Sequence, residues 1–357
     1  MAILGNDDRI LGDFVTWLAG TPDDDIITLS GQFLFDGTFV GTLDGGNGFD
    51  LLRLDAANLG GEEGGQNDNV ISISNIEQTV LISEGFYTIE ANDIAALGAL
   101  SLGSGVTQVH LTLPGQNVAP ADFSGLTLED GQILGLGFTT KGINSSPIID
   151  LSSASVAETA RIFYTGDIGS DTYYGSSGED HVDGFGGVDT LYGFGGDDVL
   201  EGRGELYGGS GNDSLQGSGY DDLLSGGLDD DLLQGGAGND GLLGGPGSDI
   251  LIGGAGDDQL LGGFGQDVFV WTEIDGGADH VLDFTLFRDH IGFDDSLLND
   301  GTLAPQDVFS AVGTDGGSML VHDETGAALA FFEDVRPFLL EFAIANAVIL
   351  DVDVDII

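Results

Sequence analysis

A nine-residue repeat fills residues 166–270 and constrains the fold more than any other feature of the sequence. Its form is G-x-x-G-x-D-x-(apolar)-x, and it recurs in eleven complete units and one shortened, six-residue unit at 202–207. Every complete unit has aspartate at position six, and all twelve units have an apolar residue at position eight. Position four departs from glycine at Tyr220 and Asp229, so the geometry of those two turns is left open.

The spacing within the repeat predicts a turn followed by a strand. Glycine at position one, often at position two, and at position four permits positive φ and close approach of the backbone, which is typical of a turn. The last three residues alternate outward, inward and outward, which predicts a very short strand with one residue facing a core. Because one unit cannot bury its own apolar residue, the units are expected to stack as a solenoid.

The aspartates at position six are the predicted metal ligands of this solenoid. Stacking places their carboxylates in rows, where two charges about 4 Å apart repel by about 4 kcal/mol at an effective dielectric constant of about 20. A cation between them removes this repulsion, and oxygen ligands without Cys or His select hard Ca²⁺ over zinc or copper. The candidate ligands in 166–270 are Asp171, Asp180, Asp189, Asp198, Asp213, Asp222, Asp231, Asp240, Asp249, Asp258 and Asp267.

The repeat resembles the RTX (repeats-in-toxin) nonapeptide G-G-x-G-x-D-x-U-x, for instance at 208–216 and 235–243. The resemblance implies a right-handed parallel β-roll in which two successive nonapeptides form one coil, unit n stacks on unit n+2, and Ca²⁺ lies between stacked turns. The even stack of aspartates would then be continuous, whereas the short unit at 202–207 would interrupt the odd stack. Roughly eight Ca²⁺ ions are expected in 166–270 if one ion fills each gap between stacked carboxylates.

The repeat and its flanking regions together predict an all-β fold, a right-handed parallel β-roll or β-solenoid with irregular β-rich flanks. The chain is expected to consist of four segments. Residues 1–53 hold two RTX-like units and are expected to form a short roll with Asp25 and Asp50 as ligands, although the first unit could instead be an acidic turn. Residues 54–165 are expected to be an irregular β-rich solenoid or sandwich, because short β-like runs alternate with Gly, Asn and Asp. The roll occupies 166–270, and residues 271–357 are expected to cap it and to carry a type I secretion target region.

The charge and the ends of the chain bear on its partners and location. The 357 residues include 61 acidic and 7 basic side chains, for a net charge of −54, which excludes a nucleic-acid binder that needs clustered Lys and Arg. No Sec signal peptide is found near the start, and no membrane span is expected. The segment 279–293 and the tail 349–357 resemble parts of type I secretion targets, which implies export by the type I secretion machinery to the medium or the cell surface.

The motifs that would indicate catalysis are missing from the sequence. It contains neither H-E-x-x-H nor G-x-S-x-G, which argues against an RTX metalloprotease or lipase, so we expect no enzymatic activity. The leading hypothesis is a secreted protein that folds on Ca²⁺ binding outside the cell and acts as a structural, surface-layer, matrix, adhesin or self-assembling protein. Its expected partner outside the cell is another copy of itself or a cell-surface polysaccharide. The alternative is a carbohydrate-active enzyme or carbohydrate-binding module with its site in 54–165, near Lys141 and Arg161.

Overall fold

The structure, a computed structural model, divides the chain into two units, Met1–Gly187 and Val188–Ile357. It describes residues 148–274, 277–298 and 303–350, the stretches 99–113, 121–123 and 125–138, and, before residue 99, the strands given below. Strands dominate the described residues, and parallel stacked coils form a β-solenoid, which confirms the predicted fold class. No helix among the described residues is long and apolar enough to span a membrane.

The described residues of the first unit, Met1–Gly187, form nineteen strands, and every pairing described among them is parallel. The strands are β1 (Ala2–Ile3), β2 (Asp8–Ile10), β3 (Trp17–Ala19), β4 (Ile26–Ser30), β5 (Val40–Asp44), β6 (Leu51–Asp55), β7 (Val70–Ser74), β8 (Gln78–Leu81), β9 (Gly85–Thr88), β10 (Ala99–Leu102), β11 (Gln108–Leu113), β12 (Ala121–Asp122), β13 (Thr127–Leu128), β14 (Ile133–Phe138), β15 (Ile148–Asp150), β16 (Ser155–Val156), β17 (Arg161–Thr165), β18 (Thr172–Tyr174) and β19 (Asp180–Asp183). In one sheet β11, β14 and β17 are neighbours, with Leu134 opposite Val109 and Ile162. Strands from successive coils therefore pair side by side, so this region is a parallel solenoid rather than a sandwich.

The second unit begins with regular coils and ends with a different arrangement. Its strands are β20 (Asp189–Gly195), β21 (Val199–Glu201), β22 (Gly204–Ser210), β23 (Ser214–Gln216), β24 (Leu223–Leu228), β25 (Leu232–Ala237), β26 (Gly241–Pro246), β27 (Ile250–Ala255), β28 (Gln259–Phe264), β29 (Val268–Trp271), β30 (Asp279–Val281), β31 (His290–Asp294), β32 (Phe309–Thr314), β33 (Gly317–His322), β34 (Ala328–Glu333) and β35 (Val348–Leu350). One α-helix, α1 (Pro337–Ala345), and two 3-10 helices, Asp295–Leu298 and Pro305–Asp307, complete it.

In the second unit of the chain, each nonapeptide pairs with the nonapeptide two places further along the sequence, and these pairings define the coils. Leu233 lies opposite Leu251, two nonapeptides later, which confirms that unit n stacks on unit n+2. Leu206 of the short unit lies opposite both Leu191 and Leu224, so the short unit replaces a full unit in the odd stack. The loss of three residues therefore shortens a turn without breaking the sheet.

The core of the coils is the column of position-eight side chains. None of the twelve is more than 3 % exposed, which confirms the predicted inward position. They are Tyr173, Val182, Leu191, Leu200, Leu206, Leu215, Leu224, Leu233, Leu242, Leu251, Leu260 and Phe269. Because each unit contributes one apolar side chain, burial depends on stacking and not on any single unit.

The parallel stack continues beyond the last complete repeat. Val281 of β30 lies opposite Leu260, and Ile291 of β31 lies opposite Phe269. After these coils, β32, β33 and β34 pair antiparallel, and β34 joins the edge of the sheet in parallel with β30. The regular stack therefore ends in an antiparallel three-stranded segment followed by α1.

Candidate metal centre

Glycine at the first position of the repeat leaves space that an aspartate oxygen occupies. A Cβ atom on Gly244 would lie 2.4 Å from Oδ2 of Asp249 and 2.7 Å from the carbonyl oxygen of Gly262 in the next coil. Any other residue would force these atoms apart, because real Cβ atoms do not approach oxygen so closely. The carboxylate of Asp249 and a backbone carbonyl of the next coil therefore both pack closely against the α-carbon of Gly244.

The two turns that lack glycine at position four have different backbone conformations at that position. Asp229 has a φ of 74°, in the left-handed region that aspartate tolerates better than most residues. Tyr220 is not among the residues with positive φ, and its ring lies under the guanidinium of Arg203 at 3.7 Å. Both turns therefore fit into the stack, although only one keeps the backbone conformation that glycine would supply.

One carboxylate oxygen of each position-six aspartate from Asp213 to Asp267 in the even stack joins neighbouring coils. The backbone N–H of Asp213 donates to Oδ1 of Asp231 at 2.9 Å, that of Asp231 donates to Asp249 at 2.9 Å, and that of Asp249 donates to Asp267 at 3.2 Å. Each bond spans 18 residues, the length of two nonapeptides. From Asp198 to Asp267 the aspartates thus form a continuous row, as expected for this part of the even stack.

The odd stack has the same bonds and the expected interruption. The N–H of Asp222 donates to Oδ1 of Asp240, and that of Asp240 donates to Asp258, each at 2.8 Å. At the short unit, however, the donor to Oδ1 of Asp222 is the N–H of Gly204, at 2.7 Å. Glycine therefore stands where the odd row would have an aspartate, and the row of carboxylates is broken there.

The second carboxylate oxygen is buried and lacks a donor in the interior of both stacks. Within the described part of the chain, Oδ2 is buried without a hydrogen-bond partner in Asp213, Asp231, Asp240, Asp249, Asp258 and Asp267. None of these residues is more than 2 % exposed. Since an unpaired buried charge is strongly destabilising, these oxygens are the atoms that a cation would satisfy.

Burial also makes these carboxylates hard to ionise. It raises the pKa of Asp213 and Asp240 to about 7 and that of Asp231 to about 8, from an ordinary value of 3.8. The N–H donated to each carboxylate opposes this effect, whereas neighbouring acidic groups add to it, such as Asp249 beside Asp231. Near neutral pH each group therefore needs either a proton or a nearby positive charge.

Ca²⁺ fits this set of oxygen atoms. No group of three or more Asp, Glu or His side chains converges anywhere in the described residues, so backbone carbonyls such as that of Gly262 would have to supply many of the ligands. Ca²⁺ accepts six to eight oxygen ligands of mixed origin in flexible geometry, whereas zinc prefers nitrogen and sulfur. Asp249 and its neighbours in the rows would hold such an ion, and its charge would allow the buried carboxylates to stay ionised.

The structure describes all of the predicted ligands in 166–270. All eleven in 166–270 are buried, none more than 6 % exposed. Besides the interior ones, some have a side-chain donor of their own: Oδ2 of Asp171 accepts from the hydroxyl of Tyr164 at 3.3 Å, and Asp180 and Asp222 accept from the hydroxyl of the serine four residues earlier. Asp25 and Asp50 lie outside the described residues, as does the tail 351–357.

Two further aspartates extend the rows beyond the predicted end of the roll. Oδ1 of Asp279 accepts the N–H of Asp258 at 3.2 Å, and Oδ1 of Asp289 accepts the N–H of Asp267 at 3.4 Å. Both precede an apolar residue by two positions, as in the repeat, but glycine is missing from position one of their units. The D-x-apolar spacing was the available signal, and the loss of glycine concealed it.

A second row of side chains, at position five, was also missed. The N–H of Asn212 donates to Oδ1 of Asp197 at 2.8 Å, that of Asp230 donates to Oδ1 of Asn212 at 3.0 Å, and that of Ser248 donates to Oδ1 of Asp230 at 2.7 Å. These bonds run in the opposite direction along the stack to those of position six. Asp or Asn at position five in successive units was the signal, and a neutral amide serves there as well as a carboxylate.

Comparison with known proteins agrees with this geometry. The RTX calcium-binding nonapeptide repeat matches in 4 copies, at residues 165–203, 207–242 and 242–269, and the first gap falls within the short unit. A comparison with curated protein sequences gives no match. RTX repeats bind Ca²⁺, and the match covers the coils that carry the buried aspartates. Residues 165–269 therefore carry RTX calcium-binding nonapeptide repeats, which are stacked as a β-roll.

Proposed function

We propose that this chain is a secreted protein that folds when Ca²⁺ binds to its roll outside the cell, and that its role there is structural rather than enzymatic. The observation that carries the proposal is the series of buried Oδ2 atoms without donors, as in Asp231 and Asp249. Without a cation, stacking these carboxylates opposes folding, so ion binding and folding become one linked process. The chain would stay unfolded where Ca²⁺ is scarce, which suits passage through a narrow export channel.

The proposed location and partners follow from this linkage. Export would use the type I secretion machinery, and the ion concentration outside the cell would then drive folding. A net charge of −54 keeps the unfolded chain soluble through self-repulsion, and several carboxylates outside the rows remain available to further divalent ions. The proposed roles are those of a surface-layer, matrix, adhesin or self-assembling protein, with a second copy or a cell-surface polysaccharide as partner.

One contact weighs against the alternative of a carbohydrate-active site in 54–165. The guanidinium of Arg161 is paired with the carboxylate of Glu179 at 3.0 Å on the surface of the first unit. A basic residue that accepts or transfers a proton needs to face substrate instead of a fixed acidic partner. Lys141 lies outside the described residues.

Circular dichroism of the full chain tests the folding step. In EDTA we expect little β-structure, and addition of Ca²⁺ should restore it, whereas Mg²⁺ at the same concentration should not, because Mg²⁺ demands a stricter octahedral site. A spectrum that is the same in EDTA and in Ca²⁺ would refute calcium-driven folding.

Two further experiments test the location and the role. Co-expression with a type I secretion system should release the chain into the medium, and the chain should stay inside cells that lack the transporter. Electron microscopy after addition of Ca²⁺ should show sheets, fibres or a coat on cells. Isolated particles that bind neither each other nor a cell surface would contradict the structural role while leaving calcium-driven folding intact.

A further inference from the structure

Arginine is placed unusually within the coils. Between residues 166 and 298 the sequence has two basic residues other than histidine, Arg203 and Arg288. Arg203 belongs to the short unit that breaks the odd row. Arg288 immediately precedes Asp289, the last aspartate of the even row. Each arginine therefore lies where a regular row of carboxylates is interrupted or ends.

Arg288 contacts two successive coils of the even stack. Its Nε atom donates to Oδ1 of Asp289 at 2.9 Å, and Nη2 donates to Oδ2 of the same carboxylate at 3.2 Å. Nη2 also donates to the carbonyl oxygen of Gly263 in the preceding coil, at 3.0 Å. The Asp289 side chain is fully buried, and about a third of the Arg288 side chain is exposed. The guanidinium thus joins a buried carboxylate of one coil to a backbone carbonyl of the coil before it.

A buried carboxylate and a backbone carbonyl of a neighbouring coil are also the groups that a cation would contact in the interior of the rows. In the interior, Oδ2 of Asp249 lacks a donor, and both it and the carbonyl oxygen of Gly262 in the neighbouring coil pack against Gly244. At the end of the row, both oxygens of Asp289 have the guanidinium as donor, and Oδ2 also accepts the backbone N–H of Thr285 at 2.6 Å. The hydrogen bond with Asp289 raises the pKa of Arg288, and the charges of Asp267 and Asp283 act in the same direction, so three carboxylates surround this one positive charge.

We propose that the Arg288 guanidinium is a built-in cation that takes the place of a Ca²⁺ ion in the last gap of the even row. Its removal should open a further Ca²⁺ site formed by the carboxylates of Asp267 and Asp289 and the carbonyl oxygen of Gly263. This inference rests on the proposed calcium binding. It adds that the guanidinium of Arg288, which is covalently part of the chain, determines where the row of ions ends.

Counting bound ions in the full chain tests this inference. We expect Arg288→Ala, in Ca²⁺, to bind about one more ion than the unsubstituted chain, because two buried carboxylates lose their only fixed positive partner. The matched control is Arg161→Ala, which removes an arginine paired with Glu179 at 3.0 Å on the surface, and its ion count should not change. Native mass spectrometry or elemental analysis after gel filtration gives the count, and circular dichroism in Ca²⁺ gives the fold.

The outcomes separate this inference from the proposed function. An Arg288→Ala chain that binds the same number of ions as the unsubstituted chain, or that fails to fold in Ca²⁺, would overturn the role of Arg288. Arg288→Lys keeps the positive charge and should keep the original count, so a gain of an ion in that variant would also count against the inference. An unsubstituted chain that binds no Ca²⁺ would instead refute the proposed function, on which the inference depends.

Discussion

Replacement of Asp231 by Asn separates the role of a buried charge from that of a hydrogen-bond acceptor. Asp231 is 2 % exposed, its Oδ1 accepts the N–H of Asp213 at 2.9 Å, and its Oδ2 lacks a donor. Asparagine keeps the Oδ1 acceptor but replaces Oδ2 by an amide group that cannot bind a cation. The variant should therefore keep the bond between coils and lose only the ionic interaction.

The structure gives the size of that interaction. Burial raises the pKa of Asp231 from 3.8 to about 8. Each pKa unit is worth 1.36 kcal/mol, so a shift of about four units corresponds to at most about 6 kcal/mol, the free energy that a cation has to offset at high pH. Solvent and relaxation reduce this roughly by half. We therefore expect Asp231→Asn to lower the free energy of unfolding in saturating Ca²⁺ by about 3 kcal/mol.

The adjacent residue supplies a matched control for this experiment. Asp230 is exposed and accepts the N–H of Ser248 through Oδ1 at 2.7 Å, and Asn212 and Asn239 make the equivalent bond elsewhere in the same rows. Asp230→Asn carries the same change in charge and should cost less than about 0.5 kcal/mol. Urea unfolding followed by circular dichroism measures both values. Equal losses in the two variants would refute the assignment of the buried position-six carboxylates as ion ligands.

Three further predictions concern pH, glycine and the left-handed turn. In EDTA, acidification from about pH 8 to about pH 5 should increase β-structure. The reason is that the pKa of Asp213 is raised to about 7 by burial, so this group binds a proton at a higher pH in the folded chain than in the unfolded chain. An unchanged circular dichroism signal would count against this prediction. Gly244→Ala should lower the free energy of unfolding in Ca²⁺ by about 2 kcal/mol or more. The control Gly219→Ala, whose Cβ would meet nothing within 4 Å, should lower it by less than about 1 kcal/mol. Similar losses in the two variants would contradict the crowding at position one. Asp229→Val should cost about 1–2 kcal/mol and Asp229→Asn almost nothing, as measured by urea unfolding, and the reverse order would show that the positive φ is not what limits this turn.

The repeat made the coils predictable from sequence, because one spacing sets the turn, the inward side chain and the row of aspartates together. The break in the odd row could also be predicted, since the short unit loses its aspartate and Gly204 takes its place. The structure adds that Leu206 keeps its place in the core, so the sheet runs through the break. The rows of buried aspartates in the regular coils were thus predictable wherever the periodicity was intact.

The ends of the rows were not predictable, because their partners come from outside the repeat. Trp271 donates its indole N–H to Oδ2 of Asp279 at 2.8 Å, and Arg288 holds Asp289, although no spacing rule links these residues to the aspartates. The antiparallel strands β32–β34 and the helix α1 were missed for a related reason. Their sequence has no internal period, so tertiary contacts decide their structure.

Amide hydrogen exchange along residues 208–267 tests the central claim most directly, namely that Ca²⁺ holds the coils together through buried carboxylates. In Ca²⁺ we expect strong protection of the N–H groups that donate between coils, such as those of Asp213, Asp231 and Asp240, and in EDTA we expect that protection to be lost. Mg²⁺ should not restore it. Equal protection of these amides in EDTA and in Ca²⁺ would contradict the claim, because the coils would then be stable without the ions that their carboxylates are proposed to bind.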